Sequence, residues 1–113
     1  MSKYLNHLLS AWKHGKGSKY TRNKDYNAAL KYFQAALKYA MNADKQELIA
    51  LETECIARTY LLLGDYINAK KSAVESLNLY NTLDICPVFA NCIKRVNELL
   101  ELLDKGKDSG VRS

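Results

Sequence analysis

Two segments of the chain spell Asp-Tyr-x-x-Ala, one from Asp25 to Ala29 and one from Asp65 to Ala69. Their interval, 66 − 26, is a period of 40 residues, within the range of helical repeat arrays. The same shift lays Tyr20 on Tyr60, Lys31 on Lys71 and Leu37 on Leu77. This constrains the fold strongly. A short repeat cannot cover its own apolar face, so it stacks on the next copy and leaves an outer surface free to bind.

The hydrophobic spacing predicts helices around that period. Ser2 is placed to cap a first helix, with Leu5, Leu8, Leu9 and Trp12 at helical intervals and expected to pack on the second helix. Gly15 and Gly17 weaken that stretch, by roughly 1 kcal/mol each relative to alanine. Asp25 starts a second helix with the stripe Tyr26, Ala29, Leu30, Phe33, Ala36, Leu37 and Ala40. The polar run 42–47 leads into a third helix carrying Leu48, Ile49, Leu51, Ile56, Tyr60 and Leu63, which Gly64 ends. Asp65 opens a fourth helix that reaches about Tyr80, with Tyr66 and Tyr26 expected inside the scaffold. Asn81 to Asp84 read as a turn, and Pro87 suits the first turn of a last helix. Its stripe is Phe89, Cys92, Ile93, Val96, Leu99, Leu100 and Leu103. The expected fold is all-α: two hairpins and a closing helix over residues 1–104, then a disordered tail at 105–113.

Composition narrows the alternatives. One proline and five glycines in 113 residues leave little material for the turns of a β-sandwich, and the length suffices for one core. Cys55, Cys86 and Cys92 are an odd number without a framework spacing, which reads as reduced thiols in a cytoplasmic or nuclear compartment. No apolar run approaches the length of a membrane span. The net charge of +5 is concentrated at the start: Lys3, Lys13, Lys16, Lys19, Arg22 and Lys24 precede the first acid, Asp25. Such an end attracts nucleic acid, an anionic membrane or an acidic peptide, although a solvated helix surface accounts for it more simply.

The pattern of aromatic, then Gly-x-Tyr-x-x-Ala, then large and small residues resembles the tetratricopeptide repeat. Tyr60, Gly64, Tyr66, Ala69, Ala73 and Ser76 fit it in the second unit, and Gly17, Tyr20, Tyr26, Ala29, Phe33 and Ala36 in the first. The resemblance spans roughly residues 10–83, with the last helix similar to the solvating cap of such arrays. Two features depart from it. The usual spacing is 34 residues, so extra residues are expected around 42–48, and Lys13 and Lys16 stand where the family prefers apolar side chains. Asp25-Tyr26, Ala29-Leu30 and Phe33 also resemble the three-helix microtubule-interacting and trafficking domain, but the second copy of the motif argues against it.

The resemblance implies a non-catalytic adaptor that holds a peptide or helix of a partner protein in a concave groove. The implied groove residues are His14, Ser18 and Thr21 on the first helix and Glu54, Cys55, Arg58 and Leu61 on the third. The plainer reading makes them exposed helix positions, with Glu54 and Arg58 an i,i+4 pair. Relatives that clamp a chaperone's C-terminal carboxylate carry Lys and Asn donors where this chain has His14, Ser18 and Cys55. Only Lys94 and Arg95 imitate the rest, so no carboxylate clamp is expected. No enzyme motif, cofactor or metal site is expected: His7 and His14 lack an acid on their helix, and Gly15-Lys16-Gly17-Ser18 lacks the strand and spacing of a phosphate loop. A homodimer through residues 85–103 is the second reading, because that stripe suits a helix seam as well as a cap. Nucleic acid and membrane are weaker alternatives, both through the basic first helix. Two hairpins are few for such an array, so excision from a longer protein is also considered.

Overall fold

The computed structural model describes residues 2–83 and 87–112, except the side chains of 87–89 and 106–112. Five helices follow in order: α1 (Lys3–Arg22), α2 (Tyr26–Asn42), α3 (Gln46–Leu63), α4 (Tyr66–Thr82) and α5 (Pro87–Arg112). No strand occurs among the described residues. α1 pairs with α2 and α3 with α4 as two hairpins; α2 packs on α3, and α5 closes the array against α4 and touches α3. The predicted all-α architecture of two hairpins and a closing helix is the one observed.

Each hairpin turn is written by the sequence in the same way. Asp25 Oδ1 accepts from the Ala28 amide and Asp65 Oδ1 from the Asn68 amide, both at 3.2 Å, supplying a partner for an amide that the first turn leaves open. Just before each aspartate the chain turns left-handed, with φ of 62° at Lys24 and 82° at Gly64. The Asp25 and Asp65 amides then reach back to the Tyr20 and Tyr60 carbonyls, each at 2.9 Å. The α2–α3 connection repeats the device with Asp44 at φ 55° and the Lys45 amide on the Ala40 carbonyl. That connection is only Ala43–Lys45, so the extra residues of the long period lie in the helices, which run 17 to 20 residues from α1 to α4. The helix α5 continues to Arg112, beyond residue 104 where the sequence analysis ends the domain. Part of the turn predicted at 81–84 lies outside the described residues.

The core forms two clusters. Ala29, Phe33 and Ile56 gather Tyr20, Leu30, Leu37, Cys55 and Tyr60 between the hairpins. Ala50, Ala57, Ala69, Ala73, Tyr80, Val96, Leu99 and Leu103 join α3, α4 and α5, and Tyr60 packs against this cluster as well. The alanines at 29 and 69 are fully buried, as helices that approach closely require.

Two expectations are corrected. Tyr66 is 45% exposed and Tyr26 is half-buried, so the motif tyrosines are not inside the scaffold; only the alanines are. The second correction concerns α1. Tyr4, Leu5, Leu8 and Trp12 face outward, while Asn6, Ser10 and Gly17 are buried. The reason is proximity. A Cβ on Gly17 would sit 2.7–2.9 Å from the Phe33 ring, and the Ser10 hydroxyl donates to the Ala36 carbonyl at 2.8 Å. The small face of α1 lets it lie close on α2, and the bulky residues point the other way. Lys13 is half-buried, with Nζ 4.7 Å above the Trp12 ring and 5.4 Å from the Tyr32 ring, so its charge meets aromatic faces rather than a hydrocarbon wall.

Candidate functional site

α3 carries two buried carboxylates, Glu52 and Glu54, and each is satisfied from a different side. Glu52 Oε1 lies 2.8 Å from Nδ1 of His14 on α1. That bond raises the His14 pKa against the opposing effect of burial, and the charge of Glu52 adds to it. Burial dominates at Glu52 itself and raises its pKa, with His14 offsetting only part. Each group titrates upward for its own reason, the carboxyl through its dry surroundings and the imidazole through the carboxylate beside it.

Glu54 is the anchor of the other side. It accepts from the Tyr80 hydroxyl at 2.9 Å, from Arg95 through two nitrogens at 3.0 Å, and from Arg58 Nε at 3.2 Å. Burial works against its ionised form, but the Arg95 and Tyr80 donors and the two guanidinium charges outweigh it, so its pKa lies below the ordinary range. Burial beside this carboxylate pushes the Tyr80 hydroxyl up, and the Glu54 hydrogen bonds push Arg95 up. Every buried side-chain polar atom among the described residues has a partner.

Between α1 and α3 lies an open cavity of about 310 Å³, lined by Ser18, Thr21, Arg22, Phe33, Cys55, Arg58, Thr59 and Leu62. It brings together four of the seven residues read from the sequence: Ser18, Thr21, Cys55 and Arg58. The other three stand elsewhere. His14 sits beside the cavity, held by Glu52 and edge-on to Phe33. Glu54 is buried under Arg58 and Arg95, where it cannot meet a partner directly. Leu61 packs on the core cluster shared by α3, α4 and α5. A larger concavity of about 670 Å³ lies along α1 and α2, lined by Asn6, Lys13, Ala35, Lys38, Tyr39 and Asn42, and contains none of the seven.

Sequence reasoning missed Arg22, Thr59 and Leu62, although all three were within reach. Arg22 lies four residues beyond Ser18, and Leu62 four beyond Arg58, so helical spacing puts each on the cavity face. Glu52 was not within reach. Its relation to His14 spans 38 residues and exists only once α1 lies beside α3. The same fold brings ligand atoms of His14, Glu52 and Cys55 within 4.8 Å of one another, a grouping that sequence spacing does not reveal.

Arg95, which could have answered a ligand carboxylate, is already bidentate on Glu54, while Lys94 is exposed. Neither Cys55 nor Cys92 is in a disulfide, Cys92 Sγ accepts from Arg95 at 3.4 Å, and Cys86 lies outside the described residues. No helix among the described residues is long and apolar enough to cross a membrane. No family model, curated protein or solved structure matches the chain.

Proposed function

We propose that the protein is a tetratricopeptide-like adaptor, without catalytic activity, that binds an extended peptide or helix of a partner protein in the cavity between α1 and α3. The observation that carries this reading is the composition of that cavity. Phe33, Cys55 and Leu62 form an apolar floor, Ser18, Thr21 and Thr59 supply hydroxyls, and Arg22 and Arg58 stand at its edge. Arg58 is shared with Glu54, whereas Arg22 makes no ion pair among the described residues. The cavity therefore suits an apolar side chain with a neighbouring acid, recognised by a guanidinium that keeps its donors free. A cytoplasmic location accords with Cys55 and Cys92 standing outside any disulfide.

Self-assembly through residues 85–103 draws less support. Val96, Leu99 and Leu103 are already covered by the cluster they share with α3 and α4, as a cap requires.

A displayed peptide library panned on the full chain tests the adaptor reading. Selected peptides should carry Asp or Glu beside an apolar residue, and Arg22→Glu should weaken them at least tenfold with an unchanged melting temperature. Affinity that survives the charge reversal moves the binding surface away from this cavity.

A further inference from the structure

We propose that His14, Glu52 and Cys55 form a zinc-binding site that clips α1 to α3 at the edge of the cavity. Their ligand atoms lie within 4.8 Å of one another, and His14 Nδ1 is 2.8 Å from Glu52 Oε1. Tetrahedral zinc with N, O and S ligands sets its donors roughly 3.3–3.5 Å apart, from bond lengths of about 2.0–2.3 Å. The pair at 2.8 Å has to open slightly and the thiol has to swing inward, both within reach of side-chain rotation.

The placement follows from the helices. Glu52 and Cys55 are three residues apart on α3 and share a face, while His14 arrives from α1 across the seam. The donor set is selective. Imidazole and thiolate are poor ligands for calcium or magnesium, which prefer oxygen, and suit zinc and its neighbours in the first transition row. A carboxylate and a thiolate together supply two negative charges, matching a divalent ion with a neutral imidazole as third ligand. Cys55 also lines the 310 Å³ cavity, so the fourth coordination position opens toward solvent or a bound partner.

Binding releases protons. Zinc binds cysteine as the thiolate and histidine as the neutral imidazole, so a protonated Cys55 or His14 must give up its proton to become a ligand. Affinity should therefore rise with pH across the neutral range, and the site replaces the His14–Glu52 ion pair rather than adding to it.

Cobalt(II) is a suitable probe, because a thiolate ligand gives a charge-transfer band in the near ultraviolet. The full chain, kept reduced, is titrated with cobalt(II) and then with zinc(II), with no peptide present, so the result is independent of the adaptor reading. The expected result is one cobalt per chain, a thiolate band that zinc abolishes, and tighter binding at pH 8 than at pH 6. Cys55→Ser, a near-isosteric change, should remove the band and weaken zinc at least tenfold while leaving the circular dichroism unchanged. His14→Gln should weaken zinc but keep a thiolate band at high cobalt. Absence of a band in the wild type overturns the proposal. So does a band that survives Cys55→Ser, which would place the metal on Cys86 or Cys92.

Discussion

The hairpins α1/α2 and α3/α4 share one motif and one turn geometry, yet their first helices are filled in opposite ways. α3 buries Ala50, Glu52, Thr53, Glu54, Ile56, Ala57 and Thr59, whereas α1 buries only Asn6, Ser10 and Gly17 and turns Leu5, Leu8 and Trp12 outward. The difference is one of position in the stack. α3 has α2 on one side and α4 and α5 on the other, so nearly its whole circumference needs a partner. α1 rests on α2 and meets α3 only at the cavity seam. A repeated motif thus fixes the seam between helices of one hairpin, and the neighbours decide what every other face must do.

The contrast is broken most severely at α3. Glu54→Ala removes the acceptor of Tyr80, Arg58 and Arg95 together. Breaking a buried ion pair from one side costs about 3–5 kcal/mol. Both arginine side chains are 42% exposed and recover hydration, so we expect the lower end, about 3 kcal/mol. Urea unfolding reads it as a lower midpoint with an unchanged slope; a loss below about 1 kcal/mol would show that the network contributes little. Among the described residues, no position of α1 carries a comparable network.

Within α1, two glycines separate close packing from helix propensity. Gly17→Ala drives a methyl into Phe33, itself buried, and should destabilise by about 1–3 kcal/mol. Gly15 meets nothing within 4 Å of an added Cβ, so Gly15→Ala should stabilise by about 1 kcal/mol through propensity alone. Thermal unfolding of the two variants should shift in opposite directions. Equal shifts would mean that α1 does not lie on α2 as closely as the Gly17–Phe33 contact demands.

These glycines also show what the sequence could reveal. The boundaries of α1 to α4, the Asp caps and the alanine seam were legible because they depend on local spacing and on residues with one dominant use. The orientation of α1 was not. Leu5, Leu8, Leu9 and Trp12 have the spacing of a buried stripe, and spacing alone cannot say which face a neighbour covers; Gly17 opposite Phe33 settles that, and both read in isolation as weak or ordinary. The cavity was half legible, since Ser18, Thr21, Cys55 and Arg58 lie at helical intervals. Glu54, read as a groove residue, proved to be a buried acceptor because Arg95 and Tyr80 arrive from 41 and 26 residues away.

The two hairpin turns give a gentler test. Lys24 and Gly64 occupy the same left-handed position one period apart, at φ 62° and 82°. A lysine there carries a Cβ penalty that glycine escapes, while glycine gives the unfolded chain more freedom. The first effect exceeds the second, so Lys24→Gly should stabilise by about 0.5–1 kcal/mol, measured as a higher urea midpoint. The reciprocal Gly64→Lys should destabilise by a similar amount. Should Lys24→Gly instead lower the midpoint, the turns are not equivalent.

The smallest expected effect contrasts the two carboxylates of α3 through pH. The pKa of His14 is raised above its ordinary 6.5 by the bond to Glu52, so its stabilising contribution is complete below pH 6.5 and is lost as pH climbs through the folded value. Glu52 acts in the same direction: burial raises its pKa, so ionising it above its ordinary 4.5 costs the folded state. Glu54 acts oppositely. Its pKa is lowered, and its contribution is present above 4.5 and lost as pH falls through the folded value. Stability should therefore decline on both flanks, the acid flank through Glu54 and the neutral-to-alkaline flank through His14. Because the His14 side chain is 32% exposed, the alkaline decline should stay under about 1 kcal/mol between pH 6 and 8.5. His14→Gln should flatten that flank and leave the acid flank in place, since a neutral amide still donates to Glu52 but no longer titrates. An alkaline flank of equal slope in both proteins would place the titrating group away from the α1–α3 seam, and the two carboxylates of α3 would then differ in packing alone.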